Sequence, residues 1–93
     1  MRARIWLMEC CAVVVWVREH ADMYSAEIVA DQCCKLHLLV EGLGDTGWDW
    51  HVWDTTGRLQ QRYGLADTAA QAKAQAEAAL GLMIEELNCR CAS

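Results

Sequence analysis

The chain of 93 residues lacks proline and phenylalanine altogether, and it is poor in cations, with eight Lys and Arg residues against 13 Asp and Glu. Because 55% of the residues are hydrophobic, a packed domain is favoured over a disordered or proline-rich segment. The excess of acids gives a net charge of −5. An acidic domain is repelled by phosphate backbones, so the composition disfavours generic nucleic-acid binding and favours a basic partner.

The sequence also has no hydrophobic run long enough to cross a membrane. Its longest apolar run, residues 5–17, has 13 residues and contains Glu9, whereas a membrane-spanning helix needs roughly 20. Arg2 and Arg4 precede this run and leave a signal peptide as an alternative, which the acid in its middle disfavours. We therefore predict a cytoplasmic protein without a membrane partner.

No catalytic motif, phosphate-binding loop or standard metal signature occurs in the sequence. The cysteines form two adjacent pairs and one Cys-x-Cys group: Cys10, Cys11, Cys33, Cys34, Cys89 and Cys91. Structural zinc favours wider knuckles, and neighbouring cysteines rarely bridge each other without strain. We interpret these residues as reduced thiols and expect no cofactor and no metal, with a cysteine-based metal-binding or redox protein as an alternative. A cysteine nucleophile needs a histidine beside it as its base. Since no feature of the sequence places these two residue types together, we do not expect an enzyme.

The regular structure is predicted from changes of hydrophobic period along the chain. Asp22 or Ser25 is a suitable cap for a helix that runs to about Cys34. Residues 36–40 and 48–53 alternate with period two and predict strands on either side of a loop over residues 41–47. Residues 54–57 predict a tight turn, and residues 58–63 a third strand that Gly64 ends.

The last segment predicts a helix with a clear beginning. Thr68 and Gln71 match a capping box, and the helix runs to about residue 88. Its predicted buried face consists of Ala72, Ala76, Ala79, Leu80, Met83 and Leu87. The predicted fold class is therefore α+β, with a three-stranded antiparallel sheet packed against two helices (αβββα). We predict one domain over residues 1–93, with an apolar N-terminal element (1–21), the αβββα core (22–88) and a Cys-containing tail (89–93).

One face of the predicted sheet is left open and is the candidate binding site. Pairing that buries the apolar residues sets Val40 opposite Trp48 and Trp53 opposite Arg58. The open face then presents the candidate partner-binding residues, which are Trp53, His51, Asp49, Arg58 and Arg62. Asp49 lies across from Arg62 in this register, and a Trp ringed by charges is a good anchor for a protein partner. The alternative is that the N-terminal element covers this face, which makes Trp53 a core residue.

Residues 52–80, about a third of the chain, resemble the C-terminal half of the double-stranded-RNA-binding domain. The features shared are a strand, a turn at Gly57, a strand ending at Gly64 and an Ala-rich helix ending in AEAAL. The resemblance implies the αβββα order. That family holds phosphates with a lysine cluster at the start of its last helix, where this chain has Ala69 and Ala70. An RNA-binding module of this type is therefore kept only as an alternative function.

The Trp-rich hairpin followed by an Ala-rich helix is also similar to small proteins of phages and prophages. This similarity, together with the small size and acidic core, implies a non-enzymatic protein that binds and blocks a protein partner. A host defence complex that handles nucleic acid is the partner it suggests, as for an anti-CRISPR inhibitor. The N-terminal element is expected to add a further element to the fold or to form a homodimer contact.

Overall fold

The computed structural model describes residues 14–31, 34–57 and 59–92. These residues form five strands and one helix: β1 (Val17–His20), β2 (Met23–Asp31), β3 (Cys34–Gly42), β4 (Trp48–Asp54), β5 (Arg62–Ala66) and α1 (Ala69–Ala92). A single 3-10 turn, Gly44–Thr46, joins β3 to β4. The strands pair antiparallel in the order β1-β2-β3-β4-β5, and α1 packs across β3, β4 and β5.

The prediction of a three-stranded sheet with two helices is therefore wrong, although the fold is α+β. The segment predicted as the first helix is β2, which pairs with β3 along almost its whole length. Tyr24, Ala26 and Ile28 face the core at period two, and Ile28 is followed by a second β-branched residue, which favours a strand. The helix–three strands–helix order implied by the resemblance is not the order of the described residues. Most of the predicted N-terminal element, residues 1–13, lies outside them.

The predicted start and buried face of α1 are confirmed. The Thr68 hydroxyl oxygen accepts a hydrogen bond from the Gln71 backbone N–H at 3.1 Å, and the Gln71 side chain accepts one from the Asp67 N–H at 3.1 Å. The first bond satisfies a donor that a helix start leaves unpaired, and the second ties the Gln71 side chain to the residue before the cap. Five of the six predicted face residues are buried, namely Ala72, Ala76, Ala79, Leu80 and Met83. The side chain of the sixth, Leu87, lies outside the described part.

The core is a layer of large side chains from β3 and β4 packed on the small side chains of α1. Leu36, Val40 and Val52 are completely buried. Burying a side chain of this size contributes roughly 1.5–3 kcal/mol. Trp50 joins this layer, and its indole N–H donates to the Gln75 side-chain oxygen on α1 at 2.8 Å. The alanines allow the helix to lie close to the sheet.

The first hairpin is displaced by two residues from its predicted register. Trp48 pairs with Gly42 instead of Val40, and Val40 pairs with Trp50. Because a shift of two leaves every side chain on its original face, the predicted separation of the two faces of β3 and β4 is preserved. The connecting loop is shorter than predicted because β3 continues to Gly42. A hydrogen bond from the Leu43 N–H to the Gly47 carbonyl closes the loop at 2.8 Å.

The second hairpin is displaced by three residues, and this odd shift exchanges the faces of β5. Val52 pairs with Arg62 and His51 with Tyr63, so the predicted pairing of Trp53 with Arg58 is replaced by a longer connection. Leu59 within that connection is buried in the core, and its burial delays the start of β5 until Arg62. Arg58 itself lies outside the described residues.

Gly64 does not end a strand as predicted, since it is the central residue of β5. A Cβ atom at this position would lie 2.8 Å from the Trp50 indole, and the hydrogen bond to Gln75 holds that indole in place. Glycine is therefore the residue that allows β5 to pass beneath Trp50.

We predict that Gly64→Ala lowers the free energy of unfolding by about 1–3 kcal/mol, because the added methyl overpacks against Trp50. Gly81→Ala is the matched control, since a Cβ at this exposed helical position meets open space. It should raise stability by about 0.5–1 kcal/mol, the usual gain in a helix interior. Urea denaturation followed by circular dichroism measures both. Equal stability of Gly64→Ala and the unmodified protein would contradict the clamped position of the indole.

Candidate functional site

The sheet presents one face that points away from α1. We call it the open face, and its side chains are Val17, Glu19, His20, Met23, Ser25, Glu27, Val29, Lys35, His37, Leu39, Glu41, Asp49, His51, Trp53, Tyr63 and Leu65. None of these side chains is buried, whereas the opposite side of the same strands contains the core. No described element packs on the open face.

Two pairs of aromatic rings lie at the centre of the open face. Trp53 stacks on His37 of the neighbouring strand, with ring centroids 5.3 Å apart and an interplanar angle of 16°. His51 meets Tyr63 in a tilted arrangement, with centroids 6.2 Å apart. Because His51 and Trp53 are two residues apart on β4, the two pairs lie side by side. They form a patch of aromatic rings that is suited to contact another protein.

His51 is held in place by a chain of hydrogen bonds. The Gln61 side-chain amide donates to His51 Nδ1 at 3.1 Å, and His51 Nε2 donates to a carboxylate oxygen of Asp49 at 3.3 Å. These two bonds fit the tautomer in which Nε2 is the donor and Nδ1 the acceptor. Both ring nitrogens are thus engaged, and His51 serves to order this part of the surface.

The open face has an excess of negative charge. It has four carboxylates, Glu19, Glu27, Glu41 and Asp49, and one ammonium group, Lys35. Lys35 Nζ lies 3.8 Å from the Glu27 carboxylate, which also approaches His37 Nε2 at 3.5 Å.

Two of the four carboxylates of the open face lie at the opposite end of the strands from Lys35 and are direct cross-strand neighbours. Glu41 pairs with Asp49, and like charges in that position are unfavourable. The second carboxylate oxygen of Asp49 is buried and has no hydrogen-bond partner among the described residues. Folding alone does not account for this arrangement, since it costs stability locally. A cationic group from a partner would relieve it.

The structure brings three of the five predicted site residues together. Trp53, His51 and Asp49 share the open face, as the alternation along β4 requires. Arg62 does not join them, because the register of β5 turns it toward α1, where it donates to Glu86 at 3.3 Å. The predicted pairing of Asp49 with Arg62 is therefore wrong, and Leu65 occupies that position.

Two prominent residues of the open face were not predicted as site residues. Tyr63 and Leu65 are 71% and 67% exposed, and both belong to β5. The alternation across Gly64 is the signal that would have found them, since Tyr63 and Leu65 are two residues apart. The predicted pairing of Trp53 with Arg58 instead sets Tyr63 opposite Trp48 on the buried face, and it ends the strand before Leu65; both expectations are wrong.

Lys73, the only cation in the first two turns of α1, is engaged within the fold. Its ammonium group lies 3.6 Å from the ring centroid of Tyr24 and 6.0 Å from that of Trp16. Trp16 in turn donates its indole N–H to Glu77 of α1 at 2.8 Å. Lys73 therefore joins β2 and the chain before β1 to the helix by cation–π contact, and it is not displayed as a free phosphate ligand.

Other kinds of site have less support in the described part of the chain. No group of three or more His, Cys, Asp or Glu residues there is arranged to hold a metal ion. Cys10, Cys11 and Cys33 lie outside it, as do the side chains of Cys34, Cys89 and Cys91. No described helix is both long and apolar enough to cross a membrane.

No protein-family model, curated protein or solved structure matches this chain.

We predict that Trp53→Ala folds normally, with a loss of about 1–2 kcal/mol at most, because Trp53 is half-buried and its main contact is one stacked ring. Trp50 on the opposite face of β4 provides the comparison. Trp50→Ala should cost about 3–5 kcal/mol, as for a large buried aromatic side chain. Chemical denaturation of both variants measures the difference. Unfolding of Trp53→Ala would instead identify Trp53 as a core residue.

Proposed function

We propose that this protein is a small, non-enzymatic interaction protein that binds a protein partner through its open face and blocks the surface that it covers. The observation that carries the proposal is a sheet face on which no described element packs, with Trp53 and Tyr63 among carboxylates. Aromatic residues are the side chains that most often dominate binding energy at protein interfaces, and charged residues typically surround them.

The charge of the open face favours a basic protein over a nucleic acid as the partner. Aromatic sheet faces that bind single strands combine stacking with cations along the phosphate path. Here the rings are flanked by Glu27, Glu41 and Asp49, and the one ammonium group of the face lies beside Glu27. Phosphates are repelled by such a surface, whereas Lys and Arg side chains of a protein complement it.

The most specific form of the proposal is an inhibitor of a host defence complex, acting in the cytoplasm. The similarity to small phage proteins suggests this class of partner. Complexes that handle nucleic acid have basic grooves, and an acidic protein face can occupy such a groove in place of phosphates. The open face has the required sign of charge, and its aromatic rings add apolar contact area.

A catalytic role has less support at the same residues. A general base needs a free ring nitrogen within reach of the proton it removes. Gln61 and Asp49 engage the two nitrogens of His51, and His37 stacks on Trp53. The imidazoles are therefore used to build the surface.

We expect an immobilised sample to capture one stoichiometric protein from nuclease-treated bacterial lysate, with loss of capture by Trp53→Ala. Leu82→Ala is the matched control, because Leu82 is 51% exposed on α1, away from the open face. Mass spectrometry identifies the retained protein. Equal capture by all three samples would show that the open face is not the binding surface.

A second measurement separates charge complementarity from nucleic-acid binding. Glu41→Gln combined with Asp49→Asn should weaken the complex with the captured protein and reduce its dependence on salt, because attraction across the interface is lost. Fluorescence anisotropy with an RNA duplex of about 20 base pairs at about 50 mM salt should show no binding. Salt-sensitive binding to the duplex would reject the proposal in favour of the RNA-binding alternative.

A further inference from the structure

The two edges of the sheet differ in how they are protected against pairing with another strand. β1 has four residues, includes Arg18, Glu19 and His20, and has an irregular register between Arg18 and His20. Short length, charge and irregularity are the features that keep an edge from adding strands. β5 is also short, but Arg62 at its first position is its only charged residue, and its pairing with β4 is regular throughout.

We propose that β5 is a homodimer interface, at which it pairs antiparallel with β5 of a second copy of this chain. A two-fold axis at Gly64, the central residue of β5, aligns all five residues of the strand. Tyr63 then lies opposite Leu65 of the other copy, and Arg62 opposite Ala66. The two sheets become one sheet of ten strands, with both helices on the same side.

The sequence of β5 is compatible with itself in this register. The exposed pair Tyr63 and Leu65 is symmetric about Gly64, so each aromatic ring meets an aliphatic side chain, a favourable cross-strand pair. Arg62 is the only charged residue of the strand, and it meets alanine, so no like charges are opposed. This symmetry is the reason to infer a second copy as the occupant instead of an unrelated strand.

The helices leave room for this pairing. α1 packs across β3, β4 and β5. Neighbouring strands are about 4.8 Å apart, so β4, the middle of the three strands under each helix, lies roughly 14 Å from β4 of the other copy. Packed helices need only 8–10 Å between axes. On the helix side of β5, Gly64 and Ala66 are small, and Arg62 is directed to Glu86 of its own α1.

Light scattering coupled to size-exclusion chromatography tests the interface. At concentrations on the order of 100 µM we expect twice the monomer mass. Leu65→Lys should halve it, because a charge on an edge strand opposes pairing. Leu82→Lys is the matched control, with the same substitution at a leucine of similar exposure on α1, and it should stay dimeric. A monomeric unmodified protein, or a dimer that Leu65→Lys leaves intact, overturns the proposal.

A mixing experiment tests the register and is independent of partner binding. Tyr63→Glu should be monomeric on its own, like Leu65→Lys. In a mixture of the two variants, residue 63 of one copy faces residue 65 of the other, so glutamate meets lysine at one pair and Tyr63 meets Leu65 at the other. The dimer mass should therefore return. Circular dichroism checks that each variant is folded, and a mixture of folded variants that stays monomeric contradicts the Gly64 axis.

Discussion

The indole of Trp50 is the contact on which the arrangement of the other elements depends. It extends from β4, lies over Gly64 of β5 and donates a hydrogen bond to Gln75 of α1. One buried side chain thus joins two strands and the helix. Because protein interiors are close-packed, the position of this ring determines how near β5 can approach β4 and how α1 lies across both.

The location of Trp50 has a direct effect on the other side of the sheet. Successive residues of a strand point to opposite faces, so the burial of Trp50 and Val52 directs Asp49, His51 and Trp53 outward. Val52 pairs with Arg62, and Tyr63 and Leu65 therefore join the open face from β5. The core and the proposed binding surface are two results of a single register. The proposed dimer interface depends on it as well, since the same register leaves the outer edge of β5 unpaired by any described strand.

Several parts of the fold were predictable because local sequence specifies them. The start of α1 follows from hydrogen bonds between Thr68 and residues within one turn, and its buried alanines follow from helical spacing. The outward position of Trp53 follows from alternation along β4 and survives the two-residue displacement of the first hairpin. The segment of β2 is predicted as a helix because Ala26 and Val29 recur at helical spacing, whereas in the strand they lie on opposite faces of the sheet. Its pairing with β3, a contact between separate segments, decides between the two.

Local sequence patterns were sufficient to predict the α+β class, the helix over the last quarter of the chain and the side of β4 on which Trp53, His51 and Asp49 lie. Three features depend on tertiary contacts: β2 is a strand, β5 contributes to the open face, and Arg62 points to the helix side. They were not predictable because strand register depends on side chains that are distant in sequence. Leu59 gains enough from burial in the core to delay β5 by an odd number of residues, and that delay exchanges its two faces.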